Sequence, residues 1–91
     1  MELKWTSKAL SDLARLHEFL APIDKRAAAK AIQALTKAPT SLLTNPRIGE
    51  QLFLFESREV RRILVQHYEM RYEVVDKTIY VLRVWHTRED R

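Results

Sequence analysis

The chain ends on a run of groups able to do chemistry. Ile79 to Arg91 reads IYVLRVWHTREDR, a β-branched and aromatic stretch that closes in charge. Alternation along it places Ile79, Val81, Arg83 and Trp85 on one face of a strand and Tyr80, Leu82, Val84 and His86 on the other. Arg83 and His86 therefore point opposite ways. A guanidinium on a core strand, followed by imidazole and Arg88 at the strand's exit, sets reactive groups on a rigid edge. Seven of the ten arginines lie from Arg58 onward, whereas five of the six lysines precede it. Arginine's planar fork grips phosphate or carboxylate through paired hydrogen bonds, so this half of the chain reads as a recognition face. The same arginines can instead pair across strands with Glu59, Glu69, Glu73 and Asp76, and Arg83 in particular with Glu73 or Glu69 according to register.

The elements that must position these groups follow from periodicity. Residues 2 to 5 alternate charged and apolar and suit a short strand, after which Thr6 and Ser7 offer an N-cap. From Ser7 to about Ala21, the residues Ala9, Leu13, Leu16 and Leu20 form one helical stripe, with Lys8, Asp12, Arg15 and Glu18 projecting away and His17 beside it. Pro22 breaks this helix, and Asp24 caps a second that reaches Lys37 or Ala38 before Pro39. Ala28, Ala31, Ile32 and Leu35 line its inner face, so the two helices make a close antiparallel hairpin. Arg26, Lys30 and Lys37 form a basic stripe outside. Residues 39 to 49 are a turn-rich connection, with one helical turn at Leu42 and Leu43, and Gln51 to Phe55 is either a strand or an apolar crossing. Strands then run over 59–66, 68–75 and 78–86, the last two joined by the short Asp76-Lys77 turn. The fold class is α+β: a short N-terminal strand, an antiparallel two-helix hairpin and a three-stranded antiparallel meander, with the helices on one sheet face.

Ninety-one residues form one domain, 1–91, with a single core. The absence of cysteine removes disulfides and thiolate metal sites, and three scattered histidines give no ligand cluster, so no metal site and no cofactor are expected. One glycine leaves no glycine-rich phosphate loop. MELKWTSK holds no apolar run of signal-peptide length and no membrane-spanning stretch follows, so the expected location is the cytoplasm. A net charge of +4 favours anionic partners without specifying nucleic acid.

Taken together, several pieces resemble the RelE/ParE superfamily, the toxins of bacterial type II toxin-antitoxin pairs. They are the hairpin pattern Trp5, Ala9, Leu10, Leu13 and Ala28, Ile32, Leu35, Pro39; the Pro46 to Gly49 turn; Arg58-Glu59-Val60-Arg61; the Tyr68 to Tyr72 strand; and Val81-Leu82-Arg83-Val84-Trp85-His86 with Arg88. The resemblance spans nearly the whole chain. It implies a β-α-α-β-β-β fold, a cognate antitoxin that folds over the toxin in a hetero-oligomer, and a part in plasmid stabilisation. RelE-like members cleave messenger RNA in the ribosome, whereas ParE-like members bind and inhibit DNA gyrase. For a ribonuclease the candidate catalytic residues are Arg61, Arg83, His86 and Arg88, with His67 a second proton carrier: arginines clamp phosphate while imidazole moves protons. For a gyrase inhibitor the candidate target-binding residues are Arg62, Trp85, Arg88 and Arg91. GEQLFLFES before the arginine strand lacks lysine, and no tyrosine follows Tyr80, departures that turn the resemblance toward ParE. A third reading is a non-toxic nucleic-acid-binding or interaction domain that uses the Arg26, Lys30, Lys37 stripe.

Overall fold

A computed structural model describes residues 1–55 and 57–89. Candidate residue Arg91 lies outside them. The chain opens with strand β1 (Glu2–Trp5) and helices α1 (Ser7–Leu20) and α2 (Lys25–Lys37). A 3₁₀ turn (Ala38–Leu43), the two-residue β2 (Glu50–Gln51) and a second 3₁₀ turn (Phe53–Phe55) lead to β3 (Glu59–Val65), β4 (Tyr68–Val75) and β5 (Thr78–His86). The sheet order is β1-β5-β4-β3-β2. The expected meander forms its centre, β1 joins one edge parallel to β5, and β2 joins the other edge antiparallel to β3.

Both helices start where the sequence provides an acceptor. The Thr6 hydroxyl oxygen accepts the Ala9 N–H while donating to the Val81 carbonyl at 2.8 Å, so one side chain caps α1 and ties it to β5. Asp24 accepts the Arg26 and Ala27 N–H groups. Ala9, Leu13 and Leu16 of α1, with Ala31 and Leu35 of α2, pack on Tyr68, Met70, Val81 and Val84, while Leu42 closes a second cluster with Tyr72, Val74 and Ile79. His17, read as a packed or boundary residue beside the stripe, is exposed.

The alternation expected along β5 changes parity midway. Arg71 pairs with Arg83 but Tyr72 pairs with Val81, so Leu82 is an extra residue, a bulge. Ile79 and Val81 before it face the helices, and Val84 does so after it. Arg83 and Trp85, expected to share a face with Ile79 and Val81, therefore lie on the other one.

The 46–49 turn closes on the Tyr72 hydroxyl. Tyr72 Oη accepts the Gly49 N–H at 3.0 Å and donates to the Pro46 carbonyl at 2.8 Å. A Cβ on Gly49 would lie 2.6 Å from that same Oη and 2.6 Å from the Arg62 carbonyl oxygen, which is why the chain's one glycine stands here. Gly49→Ala is expected to destabilise by about 1–3 kcal/mol through overpacking, and Tyr72→Phe by about 1–2 kcal/mol through loss of the bonds. Urea unfolding of both variants measures this, and unchanged midpoints would show that the turn is held otherwise.

Candidate functional site

On β4, Tyr68, Met70, Tyr72 and Val74 enter the core. Glu69, Arg71 and Glu73 therefore face away from the helices. Register then dictates their neighbours. Arg71 stands between Arg62 and Arg83, Glu69 between Leu64 and Trp85, and Glu73 between Val60 and Tyr80. Three guanidinium-bearing positions thus form a row across three strands, with a carboxylate-centred row on either side.

Like charges directly opposite each other repel, so each arginine needs its own counter-charge. Glu69 supplies two of them: Oε1 accepts from Arg62 at 3.1 Å and Oε2 from Arg71 at 3.1 Å. Arg62 also donates to Glu50 at 2.9 Å, and Arg58 grips Glu73 through two bonds of 3.0 and 2.9 Å. Arg71 lies 4.7 Å from the Trp85 ring centroid and 5.9 Å from that of Phe55. These rings hold the guanidinium by cation–π attraction. Glu69 and Trp85 are each only 7% exposed, so this face has a dry centre.

Arg83 takes a partner that strand alternation does not suggest. It meets neither Glu73 nor Glu69. Its cross-strand neighbour is Arg71, and it turns over the sheet edge to Asp12, with Nε to Oδ2 at 2.8 Å and Nη2 to Oδ1 at 3.2 Å. Asp12, expected to project away from the stripe of α1, is 4% exposed and also accepts the Val84 N–H at 2.9 Å. Helix spacing reads an acid beside the stripe as solvated; it cannot see a strand edge waiting there. Arg15 continues the contact by donating to the Val84 carbonyl at 3.5 Å and to Glu89 at 2.9 Å, and Glu89 accepts the His86 N–H at 3.1 Å.

Of the residues proposed for catalysis, His86 and Arg88 line one cavity, whereas Arg61 and Arg83 lie apart from them and from each other. Arg61 lies on the other side of β3 from Arg62, bonded to Glu59 at 2.9 Å and to the Gly49 carbonyl at 2.7 Å, where it holds the loop. His86 faces the helix side, its ring edge-on to Tyr68 at 5.3 Å and stacked on His67 at 6.1 Å. Its Nδ1 accepts the Arg88 N–H at 3.1 Å. Of the target-binding candidates, Arg62 is half-buried on the arginine face, Trp85 is buried beneath Arg71, and Arg88 is exposed at the end of β5. The basic stripe of α2 is exposed along its length. Among the described residues no group of three or more His, Cys, Asp or Glu is placed to hold a metal ion, and no helix is long and apolar enough to cross a membrane.

Fold and site together define a small α+β protein with one sheet face packed on a helix hairpin and the other built from arginine and carboxylate. The chain matches the family described as ParE toxin of type II toxin-antitoxin system, parDE, over residues 3–91. It belongs to that family. A solved structure described as the chromosomal ParDE TA system from P. aeruginosa is similar to it at 26% identity and a TM-score of 0.78, covering 94% of this chain and 95% of that one. No curated protein matches the chain.

Burial alone would raise the Asp12 pKa, but the hydrogen bonds from Arg83 and the Val84 amide, with the charges of Arg83 and Arg15, outweigh it and hold the carboxyl below its ordinary 3.8. A depressed folded-state pKa lends stability that is complete above about pH 5 and is lost as pH falls through the folded-state value. Asp12→Asn is expected to cost roughly 2–3 kcal/mol at pH 7, since it leaves Arg83 without a counter-charge. Its deficit against the parent should shrink below pH 3.8. Thermal unfolding across pH 2.5–7 tests the sign; a deficit independent of pH would assign the loss to packing.

Proposed function

We propose that this chain is a growth-inhibiting toxin that acts in the cytoplasm by binding and poisoning DNA gyrase, and that a cognate antitoxin neutralises it. Family membership supports the toxin part, and resemblance to ParE-like members supports gyrase. The observation that carries binding over RNA cleavage is the separation of the arginine row from His86. Arg62, Arg71 and Arg83 are each committed to a carboxylate on or at the edge of one face, while the imidazole lies on the helix side of the sheet. Cleavage at a ribose 2′-hydroxyl needs base, phosphate clamp and acid around one phosphate. A rigid charged surface needs none of that convergence. Arg62, with Phe53 and Leu54 exposed beside the sheet at 74% and 93%, offers charged and apolar groups for a protein target, and Arg88 is a further exposed cation at the end of β5. Trp85 contributes by holding Arg71.

An extended antitoxin segment has a place to bind. β2 pairs β3 at Arg61 and Arg62 and the Leu52 N–H reaches the Val60 carbonyl, so the edge of β3 is open only from Ile63 toward Val65 among the described residues. Alternation turns the Leu64 N–H and carbonyl toward that edge. A groove of about 570 Å³ lies alongside, walled by Ala38, Ser41 and Ile48. Adding a strand there would satisfy the backbone and cover Leu64 and Ile48, which are 65% and 64% exposed.

Purified protein with gyrase and relaxed plasmid is expected to block supercoiling and accumulate cleaved DNA while added transcripts stay intact, and His86→Ala should leave this unchanged. No effect on gyrase at saturating protein, together with transcript cutting in translating extract that His86→Ala or Arg83→Ala abolishes, would replace this reading with the ribosome-dependent nuclease.

A further inference from the structure

A cavity of about 630 Å³ opens between the C-terminal half of α1 and the ends of β4 and β5, away from the arginine row. That volume lies within the range of small-molecule sites, roughly 300–1,000 Å³. Its floor is apolar: Leu16, Phe19 and Leu20 on one wall and the Tyr68 ring on the other. Phe19 is 70% exposed, an aromatic ring that the described residues leave largely uncovered.

Three polar groups on its lining are uncommitted among the described residues. The Tyr68 hydroxyl makes no hydrogen bond there, although the residue is 7% exposed and no buried side-chain polar atom is left unsatisfied. It follows that the hydroxyl opens on the cavity. His86 accepts the Arg88 N–H at Nδ1, which puts its proton on Nε2 as a donor. The Arg88 guanidinium has no carboxylate partner among the described residues. The lining also holds one carboxylate, Glu89, which Arg15 neutralises at 2.9 Å. The remaining charge is cationic and the uncommitted groups are donors.

Backbone pairing is closed to a visitor here. Asp12 accepts the Val84 N–H, Arg15 donates to its carbonyl, and Glu89 accepts the His86 N–H. The Thr87 N–H is held by the His67 carbonyl, and the Glu89 N–H by the His86 carbonyl. An added strand would find no ladder, so recognition falls to side chains.

We propose that this cavity is a binding site for a small organic anion with a compact apolar body, of the aryl- or branched-alkyl-carboxylate class. The body lies on Phe19, Leu16, Leu20 and the Tyr68 ring, and the carboxylate meets Arg88, His86 and the Tyr68 hydroxyl. This site shares Arg88 with the gyrase reading but does not rest on it.

The test uses 3-phenylpropionate against its neutral isostere 3-phenylpropanamide, titrated into the ¹⁵N-labelled full chain by NMR. Saturable shifts of the Leu16, Phe19, His86 and Arg88 amides are expected, with the acid bound roughly tenfold more tightly than the amide, as one charge-assisted contact implies. Arg88→Gln, at an exposed position, should erase the difference between acid and amide, and Phe19→Ala should weaken both. Equal affinity for the two probes, shifts confined elsewhere, or no saturable binding by the parent would overturn the proposal.

Discussion

The carboxylate of Asp12 is the point at which helix, sheet edge and arginine face meet. β1 ends at Trp5, opposite Val81, and β5 runs on to His86 with that side bare. A strand edge without a neighbour must find other partners for its backbone groups. Asp12 takes the Val84 N–H, Arg15 the Val84 carbonyl and Glu89 the His86 N–H, so side chains replace the missing strand. Burying a carboxylate is costly unless it is paired and hydrogen-bonded, and two donors from Arg83 with one from the backbone supply both. The same contacts lock the rotation of α1 over β5.

The outer face depends on this indirectly. Arg83 would otherwise confront Arg71, itself opposite Arg62. Drawing Arg83 over the edge leaves Glu69 to serve two guanidiniums rather than three. Stacking on Trp85 holds the middle arginine flat against the sheet. The outcome is an array of charges at strand spacing whose side chains have little freedom left, which lowers the entropic cost of engaging a partner.

Much of this architecture is legible in the residues. The stripes of both helices, the caps Thr6 and Asp24, the breaks at Pro22 and Pro39 and the hairpin at Asp76-Lys77 are local signals, and local signals are written in local sequence. What escapes is non-local. β2 is two residues long and exists only because Arg61 and Arg62 lie beside it. The bulge at Leu82 leaves no mark, since Leu suits either face, yet it moves Arg83 and Trp85 to the opposite side. Asp12 looks solvent-facing by helical spacing and becomes buried because a strand seventy residues later passes there. Glu69 looks like an ordinary outward acid, and only register reveals the two arginines that close over it. The arginines were recognisable as a group from their types alone; their partners were not.

The two edges of the sheet are finished differently. Beyond β1, α1 shields the side of β5 with buried charge, whereas the far end of β3 keeps a short open ladder beside Leu64 and Ile48, both mostly exposed. Neither lysine nor proline stands in Ile63 to Val65 to blunt it, and these are the residues that ordinarily discourage edge-to-edge pairing. The lone chain is therefore expected to be more prone to self-association at that edge than a blunted strand would be. Whatever covers the edge acts as a solubiliser as well as a ligand, and the chain's colloidal behaviour and its occupancy become two readings of one surface.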